Sequence, residues 1–266
     1  MADSDFVLGI YQGGVLSSNG DANLATIAEV LSAHPHCDLV VFPELFLGGY
    51  NAAAHQFGLS EGDQVSRLTA LARHHGVGVC TGWAERGEGG VIWNTSLVVD
   101  GAGDVILRHR KSLLWGPFER EHFSAGDCLP PVVPFKGVML STVICYEVEF
   151  AQVVREMASR GCELLLVPTA VAANEEDLGI LVDCMIPTRA MESNLFIAYV
   201  NRAGVEGEMT FLGKSTIANP FGKVIGQLDE RCGSLVVSLN VHKEIERSKE
   251  RNTYAKDWRE GILAPR

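Results

Sequence analysis

No uninterrupted apolar run in the sequence reaches the roughly 20 residues needed to cross a bilayer, so no membrane-spanning helix is expected. Little basic charge stands at the start either: Met1-Ala-Asp-Ser-Asp5 is acidic where a secretory signal would be basic, so no such signal is expected. Basic residues are in the minority overall, 22 Lys and Arg against 33 Asp and Glu, for a formal net charge of −11. Affinity for nucleic acid comes largely from neutralising phosphates, so DNA, RNA and anionic membranes are not expected partners. There is no paired cysteine framework. The seven cysteines (37, 80, 128, 145, 162, 184 and 232) are odd in number and scattered, and several sit inside apolar runs. That pattern fits reduced thiols in a cytoplasm. Asn94-Thr95-Ser96 matches a glycosylation acceptor, which would matter only in a secreted protein. Finally, no Pro- or Ser-rich linker divides the 266 residues, and 47% hydrophobic content is ample for a sizeable core. The reading is one domain over residues 1–266, with a C-terminal tail from about 241 that reads as a helix plus an extended arm carrying Tyr254 and Trp258, either packed on a partner subunit or solvated and disordered.

What is present is a pattern that runs twice. Phe6 to Gln12 is a strand candidate, and Leu24, Ile27, Val30 and Leu31 then recur at helical spacing. Asp38 to Glu44 reads as a buried strand interrupted by Pro43 just before a carboxylate. A helix marked by Val65, Leu68, Leu71 and Ala72 stops at Gly76, and strands at 77–83, 95–99 and 105–109 follow, the last two joined by the turn Asp100-Gly-Ala-Gly-Asp104. From Val138 the order begins again: a strand to Cys145, a helix to Gly161, a strand 163–169, a helix 183–193, then strands at 195–200, 215–219, 223–227 and 234–239. Two such halves predict an α/β fold of four layers, an αββα sandwich of two mixed sheets with helices on the outer faces.

Three polar groups fall at or just beyond strand ends: Glu44, Lys111 and Cys145. Ligands of α/β sheets bind along the edge where strands end, so the three could converge despite their separation in sequence. Each has a plainer reading as well. Glu44 could be a surface acid, Lys111 one of several bases in a turn, and Cys145 a buried core thiol, the default for an isolated cysteine. Together they form a nucleophilic centre. A thiol is only slightly ionised at neutral pH, and a nearby carboxylate can take its proton and later return it to a departing amine. An ammonium supplies positive charge for the oxyanion that forms when sulfur attacks a carbonyl carbon, and a helix-start N–H such as that of Tyr146 would be a second donor.

Phe42-Pro-Glu-Leu-Phe-Leu-Gly-Gly-Tyr50, Arg110-Lys-Ser-Leu-Leu-Trp-Gly-Pro-Phe-Glu119 and Ile144-Cys-Tyr-Glu147 resemble the three signature segments of the nitrilase, or carbon–nitrogen hydrolase, superfamily. Secondary matches follow at Val167-Pro-Thr169, Thr188 to Glu192, Asn201-Arg202 and Asn219 to Gly222. The resemblance implies Glu44 as general base, Lys111 as stabilising cation, Cys145 as nucleophile and Glu119 as a second glutamate that positions substrate and Lys111, with Glu121 a competing alignment. It also implies the αββα sandwich, no cofactor, and at least a homodimer. Tyr146 stands where true nitrilases resembling this group carry Trp, which favours amides over nitriles. The expected reaction is hydrolysis of a small aliphatic primary amide through a thioester. Nitrile hydrolysis, cleavage of an N-carbamoyl amine and a catalytically silent scaffold are the alternatives. Tyr50, Trp115 and Phe118 are the expected acyl-pocket residues, with Thr169 and Ala170 beside them.

Other motifs carry less. Gly213-Lys-Ser215 resembles the end of a phosphate-binding loop, but the required first glycine falls on Glu208. His34-Pro-His-Cys37 lacks a second ligand cluster, so no metal is expected.

Overall fold

The computed structural model of the chain describes residues 5–15, 20–49, 61–173 and 178–257. In chain order the elements are β1 (Phe6–Gln12), α1 (Gly20–Ala33), β2 (Leu39–Val41), α2 (Glu61–His75), β3 (Gly78–Arg86), β4 (Ile92–Val99), β5 (Val105–Arg110), α3 (Gly116–His122), β6 (Val133–Phe135), β7 (Val138–Thr142), a 3₁₀ turn (Cys145–Glu149) and α4 (Ala151–Ser159). Then come β8 (Leu164–Pro168), the helical stretch α5 (178–193), β9 (Phe196–Val200), β10 (Ala203–Glu206), β11 (Met209–Leu212), β12 (Thr216–Ala218), β13 (Val224–Gln227), β14 (Gly233–Leu239), α6 (Val241–Arg251) and α7 (Tyr254–Asp257).

One six-stranded sheet has the order β14-β1-β2-β3-β4-β5 and the other β13-β12-β9-β8-β7-β6. In each, three parallel strands (β1, β2, β3 and β7, β8, β9) are flanked by antiparallel ones. The parallel pairs are linked through helices, as parallel neighbours require. Alternation along each strand decides which residues meet between the sheets. Leu8, Ile10, Leu39, Val41, Cys80, Val98 and Leu107 from one sheet face Leu140, Leu164, Leu166, Phe196, Ala198 and Ile217 from the other. The intervening residues turn outward, Val40, Val79, Leu97 and Val99 against Leu24, Ile27, Leu31, Leu68 and Ala72 of α1 and α2. On the far side Leu165, Val167, Ile197 and Tyr199 pack against Val153, Val154, Met157, Ile186 and Ala190 of α4 and α5. The four layers are therefore helix, sheet, sheet, helix. Each side chain fully buried in them contributes about 1.5–3 kcal/mol relative to exposure.

The structure moves several predicted boundaries. β2 ends at Val41, and Glu44 lies in the turn beyond it. β7 ends at Thr142, so Cys145 opens a 3₁₀ turn three residues past the strand rather than terminating it. The helix expected from Asp183 begins at 178 and contains a wide turn over Leu181–Met185, in which the Ile186 N–H reaches back to the Leu181 carbonyl. Pro187, which has no N–H to give, follows directly. The β10–β11 hairpin, β6 and α3 were not among the expected elements. Trp258 lies outside the described residues.

Candidate active site

The inner faces of the two sheets change character toward one end. On β5 every second residue points inward, Leu107 into hydrocarbon, then His109, then Lys111 just past the strand. On β4 the same face runs from Val98 through Ser96 to Asn94, and Thr142 of β7 bonds Ser96 from across the gap, Oγ to Oγ1 at 3.1 Å. A polar layer therefore lies between the apolar core and a cluster of charges.

That cluster holds three of the predicted groups at once. Lys111 Nζ donates to Glu44 Oε1 at 2.8 Å and to Glu119 Oε1 at 2.7 Å. All three side chains are at most 1% exposed. Asn94 Nδ2 also donates to Glu44 Oε1, at 2.6 Å, while Glu44 Oε2 is buried with no hydrogen-bond partner among the described residues. Glu119 Oε2 accepts the Trp115 N–H at 2.7 Å, which fixes the start of α3. Glu121 is exposed, so Glu119 is the residue that meets Lys111.

The Glu44 turn is held by backbone contacts. Its N–H donates to Thr169 O at 3.3 Å, and its carbonyl accepts two hydrogen bonds from the buried Arg202 guanidinium, at 3.0 and 2.7 Å. Arg202 also binds Leu45 O at 2.9 Å and is ion-paired with buried Glu206. Leu45 takes a left-handed conformation at φ 52°. Beneath this turn, a Cβ on Gly82 would stand 2.9 Å from Thr95 O and 3.0 Å from Leu45 N, so only glycine allows the approach.

Cys145 is partly buried and takes φ 46°, a left-handed conformation that costs a non-glycine residue about 1–2 kcal/mol. Glu147 clamps the turn that imposes it. Its Oε2 accepts the Ile144 N–H at 2.7 Å and His109 Nε2 at 2.8 Å, and its Oε1 accepts the Ser112 N–H and hydroxyl, each at 2.7 Å. The Ala170 N–H reaches the Cys145 sulfur, and Tyr146 is the second residue of the 3₁₀ turn, where backbone N–H groups have no partner within the helix.

Ionisation follows from these contacts. Burial and the charge of Glu44 push the Cys145 thiol well above its ordinary value, with Lys111 and the Ala170 N–H opposing. The sulfur therefore rests as a thiol. Burial also raises Glu44, against Lys111 and with Glu119, which makes it a better proton acceptor than an ordinary carboxylate. Burial works against the charge of Lys111, but the carboxylates beside it, Glu44 first and then Glu119, outweigh it and keep the ammonium charged. Cys145, Glu44 and Lys111 thus stand close enough for each to alter the others' charge state.

The predicted pocket residues divide. Trp115 is exposed, whereas Phe118 stacks on His122 at 4.4 Å between ring centroids and packs with Ala170 and Met209 against Leu45 and Phe123. Thr169 is fully buried and its hydroxyl donates to Val167 O, so its carbonyl, bonded to Glu44, is what serves the site. Tyr50 lies outside the described residues. His34 bonds Ser234, and among the described residues no three His, Cys, Asp or Glu side chains gather as metal ligands. Likewise no described helix is long and apolar enough to cross a membrane. Five residues were not expected as contributors: Asn94, His109, the pair Arg202 and Glu206, and Glu147 as a clamp. Asn94 and His109 are legible in retrospect from period-two alternation on β4 and β5.

A buried acid and ammonium beside a strained thiol define a hydrolase of the cysteine-nucleophile class. The chain belongs to the carbon–nitrogen hydrolase family, whose model matches residues 8–243. It is 33% identical over 243 residues to a hydrolase in the pqqF 5′ region of Pseudomonas protegens, covering 89% of this chain and 83% of that one. It is 31% identical over 238 residues to an (R)-stereoselective amidase of Pseudomonas sp., covering 88% and 84%. The crystal structure of an amidase from Nesterenkonia sp. superposes with a TM-score of 0.83 at 31% identity, covering 93% of this chain and 97% of that one. A mutant of the Nesterenkonia sp. AN1 amidase, with a TM-score of 0.84 at 30% identity over 94% and 97% of the two chains, carries the acetamide moiety of fluoroacetamide added covalently at its active-site cysteine. This chain is accordingly an amidase-type hydrolase that cleaves a C–N bond through an active-site cysteine, Cys145.

Proposed function

We propose that the substrate is a small aliphatic primary amide, cleaved to a carboxylic acid and ammonia, with Glu44, Lys111, Glu119 and Cys145 as the working groups. The observation that carries this reading is the split environment of Glu44. One carboxylate oxygen is tied to Lys111 and Asn94, and the other, Oε2, is buried with no partner among the described residues. A buried acceptor left unpaired is costly unless a reacting group meets it.

In this reading Glu44 Oε2 takes the proton of the Cys145 thiol as sulfur bonds to the amide carbon. The carbonyl oxygen becomes an oxyanion held by the Lys111 ammonium and the Tyr146 N–H. Glu44 returns the proton to nitrogen, the C–N bond breaks, and ammonia leaves a thioester. Water, losing a proton to Glu44, then attacks the thioester, the C–S bond breaks, and the acid departs as the thiol is restored. Glu119 holds Lys111 against both oxyanions. Phe118, Trp115 and Ala170 border the acyl group, with Tyr50 as a further candidate. A structure of one related amidase holds butyramide, which supports a short acyl chain here. The chemistry requires no cofactor or metal. The odd, scattered cysteines favour an enzyme of the cytoplasm, the net charge of −11 disfavours a nucleic-acid partner, and the family resemblance favours a homodimer or larger homo-oligomer.

The test is ammonia release across short amides, nitriles and N-carbamoyl amines. Amides are expected to lead, Cys145→Ala to abolish turnover while remaining folded, and iodoacetamide to label Cys145 far faster than the other six thiols. Undiminished turnover by Cys145→Ala, or a nitrile preferred over every amide, refutes the reading.

A further inference from the structure

His109 and Glu147 are among the most deeply buried polar residues, 3% and 0% exposed, and neither touches substrate in the scheme above. They connect the two halves of the site. His109 lies on β5 of one sheet, two residues before Lys111, and Glu147 lies in the turn after β7 of the other, two residues after Cys145. The Glu147 carboxylate receives four donors: the Ile144 N–H, His109 Nε2, the Ser112 N–H and the Ser112 hydroxyl. Ile144 and Glu147 bracket Cys145, so this carboxylate closes the turn that holds the nucleophile at φ 46°. Ser112 follows Lys111, so the same carboxylate also sets where the cation's strand ends.

An ionised carboxylate only accepts hydrogen bonds, so His109 Nε2 carries the hydrogen in this contact. These donors outweigh burial and hold the Glu147 acid below the ordinary glutamate range, with His109 the largest of them. Without His109 the carboxylate would keep the Ile144 N–H of its own turn and the two Ser112 donors just past β5, and would lose His109, the donor seated within β5 itself.

We infer that His109 is a positioning residue for the hydrolysis: its hydrogen bond to Glu147 locks the turn that carries Cys145 onto the strand that carries Lys111. The inference rests on the assignment of Cys145 as nucleophile and Lys111 as its cation. It concerns the alignment of the reacting groups, so it bears on acylation more than on substrate affinity. Misplacement of a reacting group by about 1 Å costs on the order of 100-fold in rate.

The test compares two amide side chains that differ in reach. The amide nitrogen of glutamine lies as many bonds from Cα as Nε2 of histidine, whereas that of asparagine is one bond short. In a folded protein, confirmed by circular dichroism, His109→Asn is expected to lower kcat on the best amide about 100-fold, with KM changed less than about threefold, and to slow iodoacetamide labelling of Cys145 in parallel. His109→Gln is expected to recover activity to within about tenfold of the parent. Equal activity of His109→Asn and the parent overturns the inference, as does equal impairment of both variants, which would assign His109 to packing alone. Should His109→Asn not fold, Ser112→Ala takes its place. Removal of one donor from the same carboxylate is expected to slow Cys145 labelling about tenfold, and an unchanged rate overturns the inference. Cys145→Ala, assayed alongside, separates the two levels: turnover by that variant undoes the nucleophile assignment itself, whereas its inactivity beside an unimpaired His109→Asn undoes only the strut.

Discussion

In the proposed scheme, with Glu44 as the base, the chemistry turns on one carboxylate with unlike oxygens. Glu44 is raised by burial first, lowered by Lys111 and raised again by Glu119. It must be ionised to take the thiol proton, so a raised pKa moves the acid limb of kcat/KM above the ordinary glutamate value of about 4.3. Glu119→Gln removes a negative neighbour and leaves Lys111 more fully to Glu44. Both effects lower the Glu44 pKa, so the acid limb of this variant is expected to move to lower pH while kcat falls. A pH–rate profile with an unmoved or upward-shifted limb would contradict that account. At this scale the sequence was informative about identity and silent about support. Glu44, Lys111, Glu119 and Cys145 stand out as candidates because their residue types and flanking segments are distinctive, and the structure joins the first three by hydrogen bonds. Asn94 looked like part of a glycosylation site, and nothing in a linear reading pairs Arg202 with a carbonyl 158 residues away.

Among the elements, the β10–β11 hairpin shows how a weakly patterned segment can matter. Its strands are four residues each, interrupted by Gly204 and carrying inward-facing Glu206, so alternation is too short to register as strand. The two-residue turn Gly207-Glu208, with Gly207 at φ 60°, was the available cue. The hairpin brings Glu206 to Arg202 and lays Phe211 5.3 Å from the guanidinium, and Arg202 in turn holds the carbonyls of Glu44 and Leu45. Arg202→Met would strand a buried carboxylate and free the Glu44 turn. It is expected to cost about 3–5 kcal/mol of unfolding free energy, read from urea melts, and to depress kcat. A stability loss below about 1 kcal/mol would show that the ion pair is not what holds the turn.

For the molecule as a whole, the two similar halves are joined through a shared sheet. β14, formed near the end of the chain, pairs antiparallel with β1 over seven residues and completes the first sheet. Behind it α6 places Val241 and Ile245 in the core between the sheets. The repeat of strand and helix was legible because periodicity is local, whereas the return of β14 to β1 depends on a pairing between opposite ends of the sequence. A chain ending at Asp229 exposes the whole hydrogen-bonding edge of β1 and uncovers part of the core. It is expected to lose the cooperative thermal transition and to aggregate. A sharp melt and retained turnover in that truncation would mean the first sheet is complete without its last strand. Strand β5 sets a different limit. Leu107, His109 and Lys111 share one of its faces, and Arg108 and Arg110 the other. Loss of a single residue within it would exchange the two rows together, turning two guanidinium groups toward the core and the site's cation toward solvent. Changes of length are therefore confined to the hairpin turn at Asp100–Asp104, and the spacing from core to the Lys111 charge along β5 is fixed by the pleat of the strand.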